Sequence, residues 1–132
     1  MAQALRQHLP TMPDDPHLTV LTRLMDVSMM RERVHLANLG NQNTPGYRAQ
    51  TVSFEDAFND ALDANGLDKA MNVVPTVKQA NETAMQPDGN DVSSEHEVAA
   101  LAKNQLLFNA YSQLARGKMR LINTAISSAP GG

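Results

Sequence analysis

SEHEVAALAKNQLLFNAYSQLARGKMRLINTAIS, residues 94–127, decides how this chain folds. Ser94 and Glu97 stand in the Ser-x-x-Glu spacing of a capping box, and Asp91 and Glu95 lie near the positive end of the helix it would open. Arg116, Lys118 and Arg120 fall toward the other end, the favourable sense for the helix dipole. Val98, Leu101, Phe108, Ala115, Met119, Ile122 and Ile126 occupy one a/d seam, interrupted by Gln105 and Ser112. A second seam holds Leu107, Tyr111, Leu114, Leu121 and Ala125, interrupted by Asn104 and Lys118. Gly117 costs about 1 kcal/mol relative to alanine inside a helix. The seam nevertheless runs on to Ile126, so one helix is expected over 94–127 with a short tail at 128–132.

Working outward, residues 17–41 carry a matching pattern. Leu18, Leu21, Met25, Met29, Leu36 and Leu39 recur at helical spacing, and Val20, Leu24, Val27 and Val34 form a neighbouring stripe. Between the long helices, Ser53 opens a short helix to about residue 65, with Phe54, Phe58, Ala61 and Leu62 on one side and Gly66 as its stop. Residues 66–92 show no sustained period and read as an irregular loop, Val73-Val74 promising at most a strand fragment. The fold class expected is therefore all-α: one helical domain over 17–127, its two long terminal helices packing as a hairpin or coiled coil. Residues 1–16, punctuated by Pro10, Pro13 and Pro16, read as a flexible leader.

Two long helices with paired apolar stripes exceed what one antiparallel hairpin can cover. At about 25 cal/mol per Å², leaving a dozen large aliphatic side chains half exposed forfeits on the order of 10 kcal/mol. The excess surface is expected to be covered by other chains, with the helices ordering as they assemble. The residues expected at that interface are Leu21, Met25, Leu36, Val98, Leu101, Phe108, Tyr111, Leu114, Met119, Ile122 and Ile126.

Composition removes several function classes. A formal charge of −3 argues against sequence-independent nucleic-acid binding, which needs a basic surface. No cysteine is present, so disulfides, thiolate metal sites and cysteine nucleophiles are excluded. No stretch approaches the roughly 20 apolar residues of a membrane span, and no cleavable signal peptide is visible. Glu32 and His35 have the Glu-x-x-His spacing of carboxylate metal bundles, but a second such pair is missing and a solvated face is the better reading. No glycine-rich phosphate loop and no nucleophile elbow occurs. No catalytic, metal, cofactor or small-molecule site is therefore expected.

The first helix runs into Ala37-Asn38-Leu39-Gly40-Asn41-Gln42-Asn43-Thr44-Pro45-Gly46-Tyr47. Pro45 fixes its own φ and pushes Thr44 out of the helical region, while Gly46 can supply the positive φ of a type II turn. Asn38, Asn41 and Asn43 have side chains suited to the open groups of a helix end. Thr44 to Tyr47 therefore reads as a rigid corner.

Ala37, Asn38 and Asn41, then Asn43 to Tyr47, resemble the Ala-Asn-x-Ala-Asn-x-x-Thr-Pro-Gly-Tyr motif of bacterial flagellar rod and hook proteins, with Gly40 in place of the usual alanine. Gly89-Asn90-Asp91-Val92, Glu95, Glu97 and the run from Leu101 are similar to the end of the FlgB family of basal-body rod proteins, as are Tyr47-Arg48 and Phe54-Glu55 after the turn. The resemblance covers about residues 18 to 126. It implies a structural subunit of the proximal rod, exported unprocessed by the flagellar type III apparatus and assembled in the periplasm. Its implied neighbours are further copies of itself and the rod proteins FlgC, FlgF, FlgG and FliE. Two alternatives stand beside it: a FlgC-like axial protein of the same superfamily, or a non-flagellar helical adaptor. An axial subunit gains helicity on mixing with rod partners, whereas an adaptor forms a stable one-to-one complex and no polymer.

Overall fold

A computed structural model describes residues 15–128. Helix α1 spans Pro16–Gly40, and Asp15 caps it by accepting from the backbone N–H of His17 at 2.8 Å, with Pro16 preset for the first turn. Helix α4 spans Ser94–Ser127 and passes through Gly117 without a break. Its N-cap is Ser93, which accepts from His96 N–H at 3.3 Å, so the expected capping box of Ser94 and Glu97 is not what opens it. Glu97 is buried elsewhere. Apart from Asp15 and Pro16, the leader lies outside the described residues, as do residues 129–132 of the tail.

The two long helices run antiparallel, their cross-links moving down one helix as they move up the other. His35 meets Glu97, Ser28 meets Asn104, and Asp15 at the start of α1 meets Lys118. Glu97, Asn104, Tyr111 and Lys118 thus form one heptad column, so the hairpin's contact line carries a row of polar groups within its apolar flanks.

The all-α expectation is corrected between them, where a small sheet stands. β1 (Gln50–Ser53) pairs antiparallel with β2 (Thr76–Gln79), Gln50 opposite Gln79 and Ser53 opposite Thr76. Ser53 therefore ends a strand rather than opening a helix. Helix α2 begins at Glu55 and runs to Asn65, and Gly66, with φ +78°, turns the chain into a one-turn helix α3, Leu67–Ala70. The loop expected over 66–92 thus contains α3 and β2. Each strand is four residues long, too short for alternation to stand out from a polar background.

This insert covers the middle of α1. Val27, Val52 and Phe54 form the buried cluster, with Leu24, Met30, Val34, Phe58 and Val73 packed around it. Phe54 is nearly inaccessible and stacks on Phe58 with ring centroids 5.4 Å apart. Arg23 on α1 donates to the carbonyl of Val73, and Arg31 pairs with Glu55.

Candidate assembly site

The helix end at Gly40 becomes a fixed corner because Asn38 and Asn41 each have defined partners. Asn41 donates from Nδ2 to the Ala37 carbonyl at 2.8 Å and accepts from Thr44 Oγ1 at 3.1 Å. Asn38 is fully buried. Its Nδ2 donates to the Gln50 carbonyl at 2.8 Å, and its Oδ1 accepts from Gln50 N–H at 3.0 Å and from the Tyr47 hydroxyl at 3.1 Å. One side chain thereby imitates a neighbouring strand and pins β1 to α1. Tyr47 N–H bonds back to the Thr44 carbonyl at 3.2 Å and Gly46 has φ +75°, the features of a type II turn. Asn43 is exposed, and no side-chain hydrogen bond joins it to another described residue.

A second segment, Asp88 to Val92, locks onto this corner. Asn90 is fully buried, and its Nδ2 donates to the carbonyls of Asn41 at 2.9 Å and Thr44 at 2.8 Å. Its Oδ1 accepts from Val92 N–H at 2.7 Å. Gly46 N–H donates to the Asp88 carbonyl at 2.9 Å. Gly89 has φ +84°, and a Cβ there would sit 3.3 Å from the Gly46 Cα, so two glycines let two backbones touch. Asp91 Oδ1 accepts from Ala49 N–H at 2.6 Å and its Oδ2 from Arg48 Nε at 2.7 Å, while Arg48 also reaches Asn81 Oδ1 at 3.0 Å. Asp91 therefore secures the corner, where the sequence placed it as a helper of the α4 dipole. The signal was present in the adjacent Asn-Asp pair, but nothing local distinguishes two buried polar residues from two turn residues.

Electrostatics agree with this geometry. Burial alone would push the Asp91 carboxyl up, but the Ala49 N–H and the Arg48 guanidinium outweigh it and hold the group below the usual carboxylate range. Asp91 is ionised more readily folded than unfolded, so its stabilisation is complete above the ordinary Asp value of about 4 and is lost as pH falls through the lower folded value. Acid titration followed by near-ultraviolet circular dichroism is expected to show Tyr47 losing its fixed environment below about pH 4. Asp91→Asn, which cannot ionise, is expected to flatten that step. Burial, and then the Glu97 charge, raise the Tyr47 hydroxyl above its usual value, so it stays a donor to Asn38.

Above the corner, His35 Nδ1 lies 2.6 Å from Glu97 Oε2, both side chains buried. The Glu32–His35 pair considered from the sequence is split, Glu32 being exposed and His35 committed to Glu97. Among the described residues no cluster of three or more metal-ligating side chains exists.

The residues expected at an assembly interface divide into two sets. Leu21, Met25, Leu101, Phe108, Tyr111 and Ile122 are partly buried, whereas Leu36, Val98, Leu114, Met119 and Ile126 are exposed. Leu107 and Tyr111 of the second seam also prove partly buried. The outward stripe instead contains Leu106, Leu114 and Leu121, which are 71, 60 and 68 % exposed, interleaved with Ala99, Ala110 and Gly117 on the same face. Leu106 was missed because its heptad position lies outside both seams.

Curated relatives match along most of the chain. The FlgB basal-body rod protein of Bacillus subtilis (strain 168) is 24 % identical over 111 residues, covering 74 % of this chain and 83 % of that protein. Its namesake from Borreliella burgdorferi is 25 % identical over 122 residues, covering 79 % and 90 %. The homologues indicate a structural protein of the flagellar basal-body rod. A third relative, FlgB of Borrelia hermsii, has the same coverage at 24 % identity. No family model matches the chain. A rod protein is a mechanical part rather than an enzyme, and a tightly fastened corner between two long helices suits that role better than a solvent-shielded reaction centre would.

Proposed function

We propose that this chain is a subunit of the proximal rod, built into a tubular drive shaft in the periplasm through the outward faces of α1 and α4. The observation that carries this reading is the Leu106–Leu114–Leu121 stripe, a row of large apolar side chains left uncovered by a hairpin already packed on its other face. Burying three leucines supplies about 6 kcal/mol, enough to join subunits that are also held at other points. In this reading the corner at Asn38–Tyr47 fixes where the chain leaves the tube wall. Further copies and the rod proteins FlgC, FlgF, FlgG and FliE are the neighbours proposed, reached after export by the flagellar type III apparatus.

Leu106→Glu and Leu114→Glu test the proposal, because both positions are exposed and the folded chain tolerates a charge there. Each variant is expected to keep its circular dichroism spectrum and to reduce recovery in purified basal bodies at least about tenfold, with loss of swimming. Normal recovery and normal motility from both variants would overturn the interface. The wild-type chain is also expected to gain helicity on mixing with rod partners.

A further inference from the structure

Helix α4 outruns its partner. Lys118 Nζ sits 3.1 Å from Asp15 Oδ2, at the cap of α1, yet α4 continues from Met119 to Ser127, a tip of about 13 Å beyond the last ion pair between the two helices among the described residues. Met119 and Ile126 are exposed on this tip. Beyond Glu97 the helix has no acidic residue at all, and Lys118 is already paired with Asp15. Arg116 and Arg120, four residues apart and on one face, meet no carboxylate among the described residues.

The complementary surface lies elsewhere on the same chain. Helix α2 sets Asp56, Asp60 and Asp63 at spacings of four and three, again one face, and none of them has a cationic partner among the described residues. Leu62 is exposed on the same helix. The head of α2 is tied to Arg31 through Glu55, about 24 Å along α1 from the Asp15 cap, and no ion pair joins the two clusters within the described chain.

We propose that the α4 tip of one copy docks on α2 of a second copy, with Arg116 and Arg120 on the Asp56–Asp60–Asp63 row and Met119 and Ile126 against Leu62. This rests on the reading of the chain as an assembling rod subunit and names one contact within that assembly. The two patches differ, so the contact is heterologous and need not close on itself, as an open-ended stack requires. Exposed ion pairs contribute little affinity each; their part is to select partner and direction, while the apolar residues supply most of the adhesion.

The chain holds no cysteine, so introduced thiols report without background. Asn123→Cys on the tip of one chain and Asn59→Cys on α2 of another are mixed and joined with a short bis-maleimide, in solution and in purified basal bodies. The heterologous bridge is expected to dominate, to fall at least about tenfold in an Arg116→Glu, Arg120→Glu tip, and to return when that tip meets Asp56→Arg, Asp60→Arg on the second chain. All positions are exposed, so circular dichroism should not change. A bridge insensitive to charge reversal, or bridging only between identical positions, would overturn the docking. Chains present in basal bodies without the bridge would sink the docking and leave the rod reading intact. A charge-rescued bridge in solution from chains absent from basal bodies would do the reverse.

Discussion

Asn90→Ala is expected to destabilise the chain by about 3 kcal/mol and to eliminate its incorporation into basal bodies. The side chain makes three hydrogen bonds from a fully buried position, two of them to the carbonyls of Asn41 and Thr44, where α1 ends and the corner begins. Truncation leaves those acceptors and the Val92 N–H without their partner, and each lost bond at a buried site costs about 1 kcal/mol or more. The corner sets the direction in which the chain leaves α1, so its failure disturbs the insert and the start of α4 together. Asn90→Asp serves as the companion variant, since it keeps the acceptor for Val92 N–H but sets a carboxyl oxygen against the Asn41 and Thr44 carbonyls in place of the two donations. Urea denaturation followed by circular dichroism measures the stability, and recovery in basal bodies measures the consequence. A midpoint unchanged in Asn90→Ala would show that the corner stands without its clasp.

The second large effect is expected at the hairpin's polar column. Glu97→Ala removes a carboxylate that sits buried against His35 and leaves the imidazole Nδ1 without its partner, at a cost of about 3 kcal/mol. His35→Leu combined with Glu97→Leu is expected to behave in the opposite way, neutral or stabilising, because a well-packed apolar pair avoids the desolvation of both polar groups. What the double variant loses is discrimination. With Asn104 and Ser28 also on the contact line, the native row permits one alignment of the helices, whereas leucines tolerate shifts by one heptad. Thermal melts of the single and double variants, together with crosslinking across the hairpin, separate stability from alignment. A double variant that melts lower than Glu97→Ala would reverse this account.

The long helices were legible because their apolar residues recur over many turns, and periodicity accumulates evidence with length. α1 at Pro16–Gly40 and α4 at Ser94–Ser127 lie within a residue of the spans read from the pattern. The Thr44–Tyr47 turn was legible for a different reason, since proline and glycine restrict the backbone by their own chemistry. The sheet was not legible: Gln50–Ser53 and Thr76–Gln79 are brief, polar and distant in sequence, and the Asn38 bonds that hold Gln50 on α1 come from the fold rather than from local pattern. The polar column was half visible. Asn104 and Lys118 read as interruptions of an apolar seam, when Asn104 and Glu97 are the residues that pin the helices to one another. Local pattern records which residues are apolar, but which polar residues find partners across a fold is decided by tertiary geometry.

The two ends of the hairpin are not equivalent. Asn90, Asp91 and the touching glycines all bind one end, while among the described residues the opposite end is fastened by the Asp15–Lys118 pair. Such an object resembles a pair of tweezers, with most of its fastenings gathered at the root. In the proposed rod, such an object keeps a constant bearing at its root while its sparsely fastened tips meet residents already seated.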